Sequence, residues 1–495
     1  MRRLLLLVAL SYIVATVYLN SFPAQFHYDD FPLMLENPRV TSASFDYASF
    51  LQHYGGRPLT LWSFYLNYQL FGAQASVFHA VNLVLHILAT CLLMLVVGRL
   101  SGRLAPGFLA AFIFAVHPLQ TQAVNYIWSR SILLMTVFIF LSGLLIRRRP
   151  ILALICFQLA IWSRAEAIVM VLPLLLISRE FRKPLVGTAA LNSLLFLLAL
   201  SRHDPSQFAW NHTAMLDFWK SQTLAAWKYL QMMIWPTHFS IDYQLTIPSA
   251  ATAIALGAAM LLLVGGLTWL FFNREDARIP AGSLLLTVFA LTPSLLMPNT
   301  DLFNESRSYL ALAFFAIAAS WTVLKGGELF LRNPFGVTRR AVERATCLLP
   351  FDRPAAYREM FAGKYTGAAI MSCLLVAILF VPTTLERNRI WRSDMALWVE
   401  AAERFPGKGQ IRYNLGVALA RAGNYTEALK EFQAAARLMP DDDLSYAAIG
   451  YCAEMSGDWP SARRNYQRAL SLNPGNNYAA AGLRRVSLPL RGQEL

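Results

Sequence analysis

Long apolar segments recur through most of the chain and constrain its fold more than any other feature. They begin at residue 4, end at residue 382 and are absent from the last part of the chain. A helix that crosses a bilayer needs about 20 predominantly apolar residues, and many windows between these limits qualify. Only 15% of the residues are charged, whereas soluble domains carry roughly 25%. The sequence therefore predicts an all-α, polytopic membrane domain followed by a polar C-terminal domain.

We predict eleven transmembrane helices, two of which are so short that the count could differ by one pair. The first begins after Arg2 and Arg3 and lacks a small-residue cleavage motif, so we expect it to remain as an uncleaved anchor. The predicted positions are residues 4–20, 77–97, 104–119, 131–146, 150–161, 167–178, 184–200, 251–272, 281–297, 308–324 and 366–382.

Lysine and arginine are distributed unevenly between the two sides of this arrangement. The loops on the side of the N-terminus carry 20 of them, and the opposite loops carry eight. Because basic loops remain in the cytoplasm, we predict a cytoplasmic N-terminus and an extracytoplasmic C-terminal domain. The same bias accounts for the net charge of +14, so no nucleic-acid partner is expected.

Three regions follow from this pattern. Residues 1–325 form the predicted transmembrane domain, with long outer loops at 21–76 and 201–250. Residues 326–382 contain a basic cytoplasmic linker and the last transmembrane helix. Residues 383–495 form a polar, helical domain outside the cytoplasm.

The C-terminal domain contains an internal repeat. "NLGVALARAGNYTEALKEFQAAARLMP" aligns with "AIGYCAEMSGDWPSARRNYQRALSLNP" at a shift of 34 residues, and "ALWVEAAERFP" is the closing helix of a partial repeat upstream. Small residues that let two helices approach, an aromatic wedge and a final proline resemble the tetratricopeptide repeat. Such an array has a concave face that suits an extended peptide, and a purely structural stack is the alternative. The matching pairs are Gly416 with Gly450, Gly423 with Gly457, Ala428 with Ala462, Phe432 with Tyr466, Ala435 with Ala469 and Pro440 with Pro474.

Six clusters of polar residues lie next to the membrane on the predicted outer side. Charged side chains at this depth are costly and are usually functional. The clusters are Asp29 with Asp30, His53 with Arg57, His117 with Arg130, Arg164 with Glu166, His238 with Asp242, and Asp301 with Glu305 and Arg307.

These clusters combine isolated cations with acids. Four arginines on a face with few basic residues suit an anionic group near the bilayer, because a guanidinium matches the geometry of phosphate. Neighbouring acids suit a general base for a hydroxyl acceptor. A lipid-linked phosphosugar would supply the anion and a membrane-embedded tail, with Asp29 or Asp30 as the base. No metal-ligand spacing is evident, and the five cysteines indicate neither a disulfide framework nor a metal site.

Structural roles for the same residues stay open. Asp29 and Asp30 could form a turn or a helix cap beside Pro32, and the arginines could pair with Glu166 or Glu305. The histidines are more typical of packing or hydrogen-bonding residues than of ligands.

The order of these motifs resembles a known family. The acidic pair, "RPLTLWSFYLNYQLFG…FHAVNLVLHI", "HPLQTQAV…R", "NESRSYLALAF" and the terminal repeats are similar to the transmembrane-and-tetratricopeptide O-mannosyltransferases, within the GT-C glycosyltransferase superfamily. The resemblance covers most of residues 1–325 and the repeats. The fourth cluster departs from it, because "SRAEA" stands where a basic residue before Lys-Glu-Gly is expected.

The resemblance implies an inverting glycosyltransferase that takes a sugar from a polyprenyl-phosphate donor, without a firm need for a divalent metal. It implies a base at Asp30, with Asp29 as a positioning residue or the reverse. The donor phosphate would be bound by Arg57, Arg130, Arg164 and Arg307, with His53 and His117 orienting it. Glu166, Glu305 and Asp242 would have secondary roles.

The acceptor is expected to be a serine or threonine of a protein that the repeats recruit. The short repeat array and compact chain suggest a bacterial relative in the inner membrane with a periplasmic active site. A transferase acting on lipid or envelope polysaccharide and a non-catalytic membrane scaffold are the alternatives. The scaffold leaves the six outer clusters without a purpose.

Overall fold

The computed structural model describes residues 1–42, 57–177, 182–200, 212–297, 301–332 and 366–487. Over these ranges the chain is helical and contains no β-strand, which confirms the all-α fold class. The chain divides into two compact units. One consists of Met1–Thr237 and Leu245–Arg392, and the other of His238–Gln244 and Ser393–Leu495.

The first unit contains the apolar helices. Shorter helical turns join them at several loops, including Pro118–Gln120, Ile127–Ser129, Ala165–Met170 and Glu305–Ser308. The α-helices are Arg2–Tyr18, Pro38–Thr41, Pro58–Phe71, Ala75–Ser101, Leu104–Val116, Thr121–Asn125, Arg130–Leu145, Pro150–Ser163, Val171–Ile177, Arg182–Leu200, His212–Ile234, Ala250–Asn273, Arg278–Leu296, Tyr309–Arg332 and Thr366–Ile390.

Seven helical segments in the described part of the chain are long and apolar enough to cross a membrane, which makes this an integral membrane protein. An eighth results if the bent pair Leu104–Val116 and Pro118–Asn125, with a 59° angle, counts as one span. The predicted count of eleven is not confirmed. The predicted spans at 150–161 and 167–178 correspond to helices that are too short to cross a bilayer singly.

The core of the first unit depends on close approach between helices. Gly107 lies where Leu104–Val116 crosses Ala75–Ser101, and a Cβ atom there would be 2.6 Å from the Met94 carbonyl oxygen. Small residues allow such crossings in membrane proteins, where apolar surface alone provides little drive for helices to associate. This packing holds the helix ends that carry the candidate site.

The second unit contains the repeats and takes in one short segment from the predicted second outer loop. Within this segment Asp242 forms an ion pair with Lys408, and the Tyr243 ring packs 5.8 Å from that of Phe405. The helices of this unit are Asp394–Arg404, Gly409–Arg421, Tyr425–Leu438, Asp443–Met455, Trp459–Leu472 and Asn477–Ser487.

Glycines and aromatic rings form the contacts between the paired repeat helices, as the sequence predicts. A Cβ atom on Gly416 would lie 2.7 Å from the Phe432 ring, and one on Gly450 would lie 2.9 Å from the Tyr466 ring. The Tyr466 hydroxyl donates to Glu454 over 2.6 Å, which fixes the ring in place. The helix pairs therefore require glycine at these crossings.

Replacing Gly450 with alanine is expected to destabilise the repeat helices. Alanine favours a helix by about 1 kcal/mol over glycine, but forcing an extra carbon into a packed contact costs about 1–3 kcal/mol. Hydrogen exchange in the full chain should therefore show faster exchange in Asp443–Met455 and Trp459–Leu472. In a Tyr466→Leu background, Gly450→Ala should no longer destabilise these helices, because the Tyr466 ring is absent. An equal loss of stability in that background would show that the ring does not clash with the added carbon.

Candidate functional site

Asp30 is fully buried and ties two segments of the first unit together. One carboxylate oxygen accepts the backbone N–H of His27 and the other accepts that of Trp128, both at 2.9 Å. Burial raises the pKa of Asp30 to about 7, against the lowering effect of these hydrogen bonds. Both oxygens are thus engaged in holding the loop, which leaves Asp30 little freedom to meet a substrate.

Asp29 is only half-buried and lies beside a tyrosine hydroxyl. Its backbone N–H donates to the Tyr126 hydroxyl over 3.2 Å, and the same hydroxyl lies close enough to its carboxylate to lower the pKa of Asp29. Burial raises the pKa of Asp29, Asp301 raises it further, and Tyr126 and Arg57 oppose the rise. Of the two acids, Asp29 is the more exposed.

Arg57 precedes the helix Pro58–Phe71 in a left-handed conformation, with φ +61° and ψ +60°. This conformation costs a residue other than glycine of order 1–3 kcal/mol and is concentrated at functional sites. The guanidinium donates to the Ser131 hydroxyl over 3.3 Å and lies 5.8 Å from the centre of the Trp128 ring. Burial and the nearby Arg164 cation lower the pKa of Arg57 to about 10.

Arg164 approaches the same hydroxyl from another helix end. One of its nitrogens lies 3.5 Å from the Ser131 oxygen, and another is paired with Glu166 at 2.7 Å. Burial raises the pKa of Glu166, but the cations Arg164 and Arg57 and the hydrogen bonds to the carboxylate together bring its pKa below the usual value. Ser131 therefore accepts hydrogen bonds from both Arg57 and Arg164. Among the ion pairs of the described residues, Arg164 pairs with a carboxylate and Arg57 does not.

Arg307 completes the group of cations. It donates to the Asp301 carbonyl oxygen over 2.9 Å and lies within electrostatic range of Arg57. The preceding loop is fixed by two hydrogen bonds: the Ser306 N–H donates to Gln122 over 2.8 Å, and the Tyr229 hydroxyl donates to the Asn304 carbonyl oxygen over 2.9 Å. Glu305 is fully buried in this loop.

Arg130 is placed differently from the other three arginines. It is fully buried, and its nitrogens donate to Asn82 at 2.9 Å and to Asn67 at 3.0 Å. Its guanidinium also lies 4.5 Å from the centre of the Phe64 ring. These contacts link Arg130 to the helices Pro58–Phe71 and Ala75–Ser101.

Three other residues that the sequence predicts for the site are not part of this cluster of arginines. Two have partners elsewhere, and one lies outside the described residues. Both ring nitrogens of buried His117 have partners, the carbonyl oxygen of Met233 at 3.1 Å and the N–H of Leu119 at 3.2 Å. Asp242 pairs with Lys408 in the second unit. His53 lies outside the described residues.

The structure adds three residues that sequence reasoning did not single out: Tyr126, Trp128 and Ser131. Tyr126 and Trp128 are part of the third polar motif, "HPLQTQAVNYIWSR", and Ser131 follows it, but nothing in the sequence distinguishes them from packing residues. Among the described residues no group of three or more His, Cys, Asp or Glu side chains is placed to bind a metal ion.

The chain is similar to known proteins in both of its parts. The sequence model of a family described as "Tetratricopeptide repeat" matches residues 409–474. Protein O-mannosyl-transferase F38B6.6 of Caenorhabditis elegans is 25% identical over 477 residues, which covers 89% of this chain and 63% of that protein.

Two further relatives have the same kind of name. Protein O-mannosyl-transferase TMTC3 of Mus musculus is 24% identical over 536 residues, covering 94% of this chain and 55% of the relative. Protein O-mannosyl-transferase Tmtc1 of Drosophila melanogaster is 36% identical over 145 residues, covering 27% of this chain and 17% of the relative. The chain thus spans 55% to 63% of the length of the first two relatives. Its homologues are protein O-mannosyl-transferases, and its C-terminal part contains tetratricopeptide repeats.

Proposed function

We propose that the protein transfers a sugar from a polyprenyl-phosphate donor to a serine or threonine hydroxyl of a protein on the extracytoplasmic side of the membrane. The observation that carries this proposal is that the Arg57 guanidinium lies within electrostatic range of the half-buried Asp29 carboxylate and of the guanidinium groups of Arg164 and Arg307. Glu166 pairs with Arg164, whereas Arg57 has no carboxylate partner among the described ion pairs, so we assign its guanidinium to the donor phosphate first.

In the proposed reaction Asp29 removes the proton from the acceptor hydroxyl. The hydroxyl oxygen then attacks the anomeric carbon of the sugar, and the bond from this carbon to the phosphate oxygen breaks with its electron pair staying on the phosphate. Attack from the side opposite the leaving group inverts the anomeric centre. The three arginines stabilise the negative charge that develops on the lipid phosphate, and the proton remains on Asp29 until the products leave.

The remaining polar residues support this arrangement in the proposal. Asp30 holds the acidic loop, Arg130 joins two neighbouring helices, and Glu166 orients Arg164. We assign no contact with donor or acceptor to His117, because its ring nitrogens are engaged within the protein. A donor-orienting role for His53 stays a prediction from the sequence alone.

The repeats are proposed to bind the protein acceptor. Three tyrosine rings, those of Tyr425, Tyr451 and Tyr478, follow one another at centroid distances of 6.0 Å across successive repeats. Tyr478 is 49% exposed. Such a row of aromatic rings with polar hydroxyls suits an extended polypeptide chain.

Replacing Tyr478 with alanine is expected to raise the KM for a protein acceptor by about tenfold, as truncation of an aromatic interface residue commonly does. Hydrolysis of the donor in the absence of acceptor should stay unchanged, because the site residues are intact. Tyr446→Phe, which keeps a ring elsewhere in the repeats, serves as the control. An unchanged acceptor KM in the Tyr478 variant would remove this surface from the proposal.

Mass spectrometry of glycans in cells with and without an intact gene tests the function as a whole. The proposal expects loss of O-linked hexose from Ser/Thr of proteins in cells without the gene, and its return with the wild-type chain. Loss confined to lipids or polysaccharide would redirect the proposal to a different acceptor, and no change in any glycan would contradict transferase activity.

A further inference from the structure

The last transmembrane helix, Thr366–Ile390, ends beside the acidic loop. Trp391 follows this helix directly and is fully buried. Its carbonyl oxygen lies 2.7 Å from Nε2 of His27, which therefore donates to it. The indole also packs edge-on against the imidazole, with 5.7 Å between the ring centres. The residue two positions before Asp29 is thus held by the end of a distant helix.

The same tryptophan contacts the tyrosine that touches Asp29. The rings of Tyr126 and Trp391 are stacked, with 5.8 Å between their centres and an interplanar angle of 29°. From the opposite side, Asn82 donates to the Tyr126 carbonyl oxygen over 3.3 Å. Tyr126 is 7% exposed; its hydroxyl accepts the Asp29 N–H over 3.2 Å and lies near the Asp29 carboxylate.

Further hydrogen bonds lock the end of the helix in place. Asn388 donates to the Val17 carbonyl oxygen over 2.9 Å and accepts from Asn125, the neighbour of Tyr126, over 2.7 Å. Thr384 donates to the Val116 carbonyl oxygen over 2.7 Å. These groups are buried, so they lose their partners without replacement if the helix end moves.

We propose that Tyr126 and Trp391 are positioning residues for the Asp29 carboxylate, and that the end of the last transmembrane helix is part of the transferase site. This inference rests on the proposed function and deepens it. Tyr126 orients the carboxylate through its hydroxyl, and Trp391 fixes the plane of the Tyr126 ring. The predicted catalytic domain, residues 1–325, would lack one of these two residues.

Tyr126→Phe tests the first half of the proposal, since it removes one oxygen and keeps the stacked ring. The expected result is a kcat reduced by about tenfold, the order expected for one hydrogen bond to a charged group, with the KM for donor and acceptor unchanged. Asp29 must be deprotonated to act, and the nearby Tyr126 hydroxyl lowers its pKa, so removing that hydroxyl should raise the pKa of Asp29. The acid limb of the pH–rate profile should therefore move to higher pH.

The other charged and titratable groups near Asp29 are the same in the wild type and in Tyr126→Phe. They are His27, Asp30, Arg57 and Asp301, so a shift of the acid limb reports the missing hydroxyl alone. A merely structural role would lower the amount of folded protein and leave the profile where it is.

Substitutions of Trp391 test the second half. Trp391→Phe keeps a ring against Tyr126 and should retain most of the activity, whereas Trp391→Ala should move the acid limb as Tyr126→Phe does. Phe157→Leu is the control for loss of packing, because Phe157 is a fully buried ring in the helix Pro150–Ser163. This change should not move the acid limb of the pH–rate profile.

The outcomes separate this inference from the function on which it rests. An inactive wild-type protein would contradict the proposed function. An active wild-type protein, together with wild-type kcat and pH profile in Tyr126→Phe and Trp391→Ala, would overturn the inference alone.

Discussion

Replacing Asp29 with asparagine is expected to lower the rate of sugar transfer by about 10²- to 10⁴-fold, the usual contribution of a general base. Asparagine has the same shape and can still bond the Tyr126 hydroxyl, but it cannot take the acceptor's proton. Because Asp29 is half-buried and makes no ion pair among the described bridges, the variant should fold normally. The measurement is kcat with saturating donor and acceptor, beside a thermal unfolding curve.

Asp30→Asn is the matched control, because the two acids are adjacent and differ in their contacts. An amide offers one acceptor oxygen, whereas Asp30 accepts two backbone N–H groups. This variant should lose about 1–3 kcal/mol of stability and, where folded, retain more activity than Asp29→Asn. Full activity in Asp29→Asn, with an inactive but stable Asp30→Asn, would reverse the assignment.

Replacing Arg57 with glutamine should reduce kcat/KM by about 10²- to 10³-fold, the cost of removing one preorganised group that stabilises transition-state charge. Lysine at the same position should recover part of this loss, because it restores the charge without the planar fork. The measurement is the rate of transfer at low concentrations of the lipid-linked donor.

Arg57→Gly separates the role of this residue in catalysis from its role in the fold. Glycine adopts the φ of +61° found at Arg57 without strain, so this variant should be at least as stable as Arg57→Gln, although both should lose activity to a similar extent. If Arg57→Gly and Arg57→Gln are both unfolded, their loss of activity comes from the fold, which would contradict a role of Arg57 in the reaction. Equal activity in the wild type and Arg57→Gln would remove Arg57 from the phosphate site.

Sequence patterns predicted the fold class and the repeats because these depend on local spacing. The match of Gly416 with Gly450 and of Phe432 with Tyr466 follows from a period of 34 residues, and the structure packs each glycine against the aromatic ring of its own repeat. The number of transmembrane helices was harder to predict, since composition does not distinguish a short buried helix such as Pro150–Ser163 from a spanning one.

The candidate site was predictable only in part, because its contacts join residues far apart in the chain. Nothing in the sequence distinguishes Arg130 from the other predicted phosphate-binding arginines, Arg57, Arg164 and Arg307. In the structure, Arg130 donates hydrogen bonds to the side-chain amides of Asn67 and Asn82. Likewise, the contact of Trp391 with His27 spans 364 positions. Neither spacing nor composition contains this information.

The preference between the two acids illustrates the same point. By position alone Asp30 was the predicted base, with the reverse left open. The N–H groups of His27 and Trp128 occupy both of its oxygens, and this shifts our proposal to Asp29. The choice between Asp29 and Asp30 depends in part on the backbone N–H of Trp128, which is 98 positions from Asp30 in the chain.

The most direct test of the central claim is a transfer assay with the purified full chain in liposomes. A radiolabelled hexose on polyprenyl phosphate is the donor and a Ser/Thr-containing peptide is the acceptor. We predict glycosylated peptide and free polyprenyl phosphate in equal amounts, with both lowered by about 10²- to 10⁴-fold in Asp29→Asn. Transfer from a nucleotide sugar but not from the lipid donor, or equal turnover by Asp29→Asn, would contradict the account.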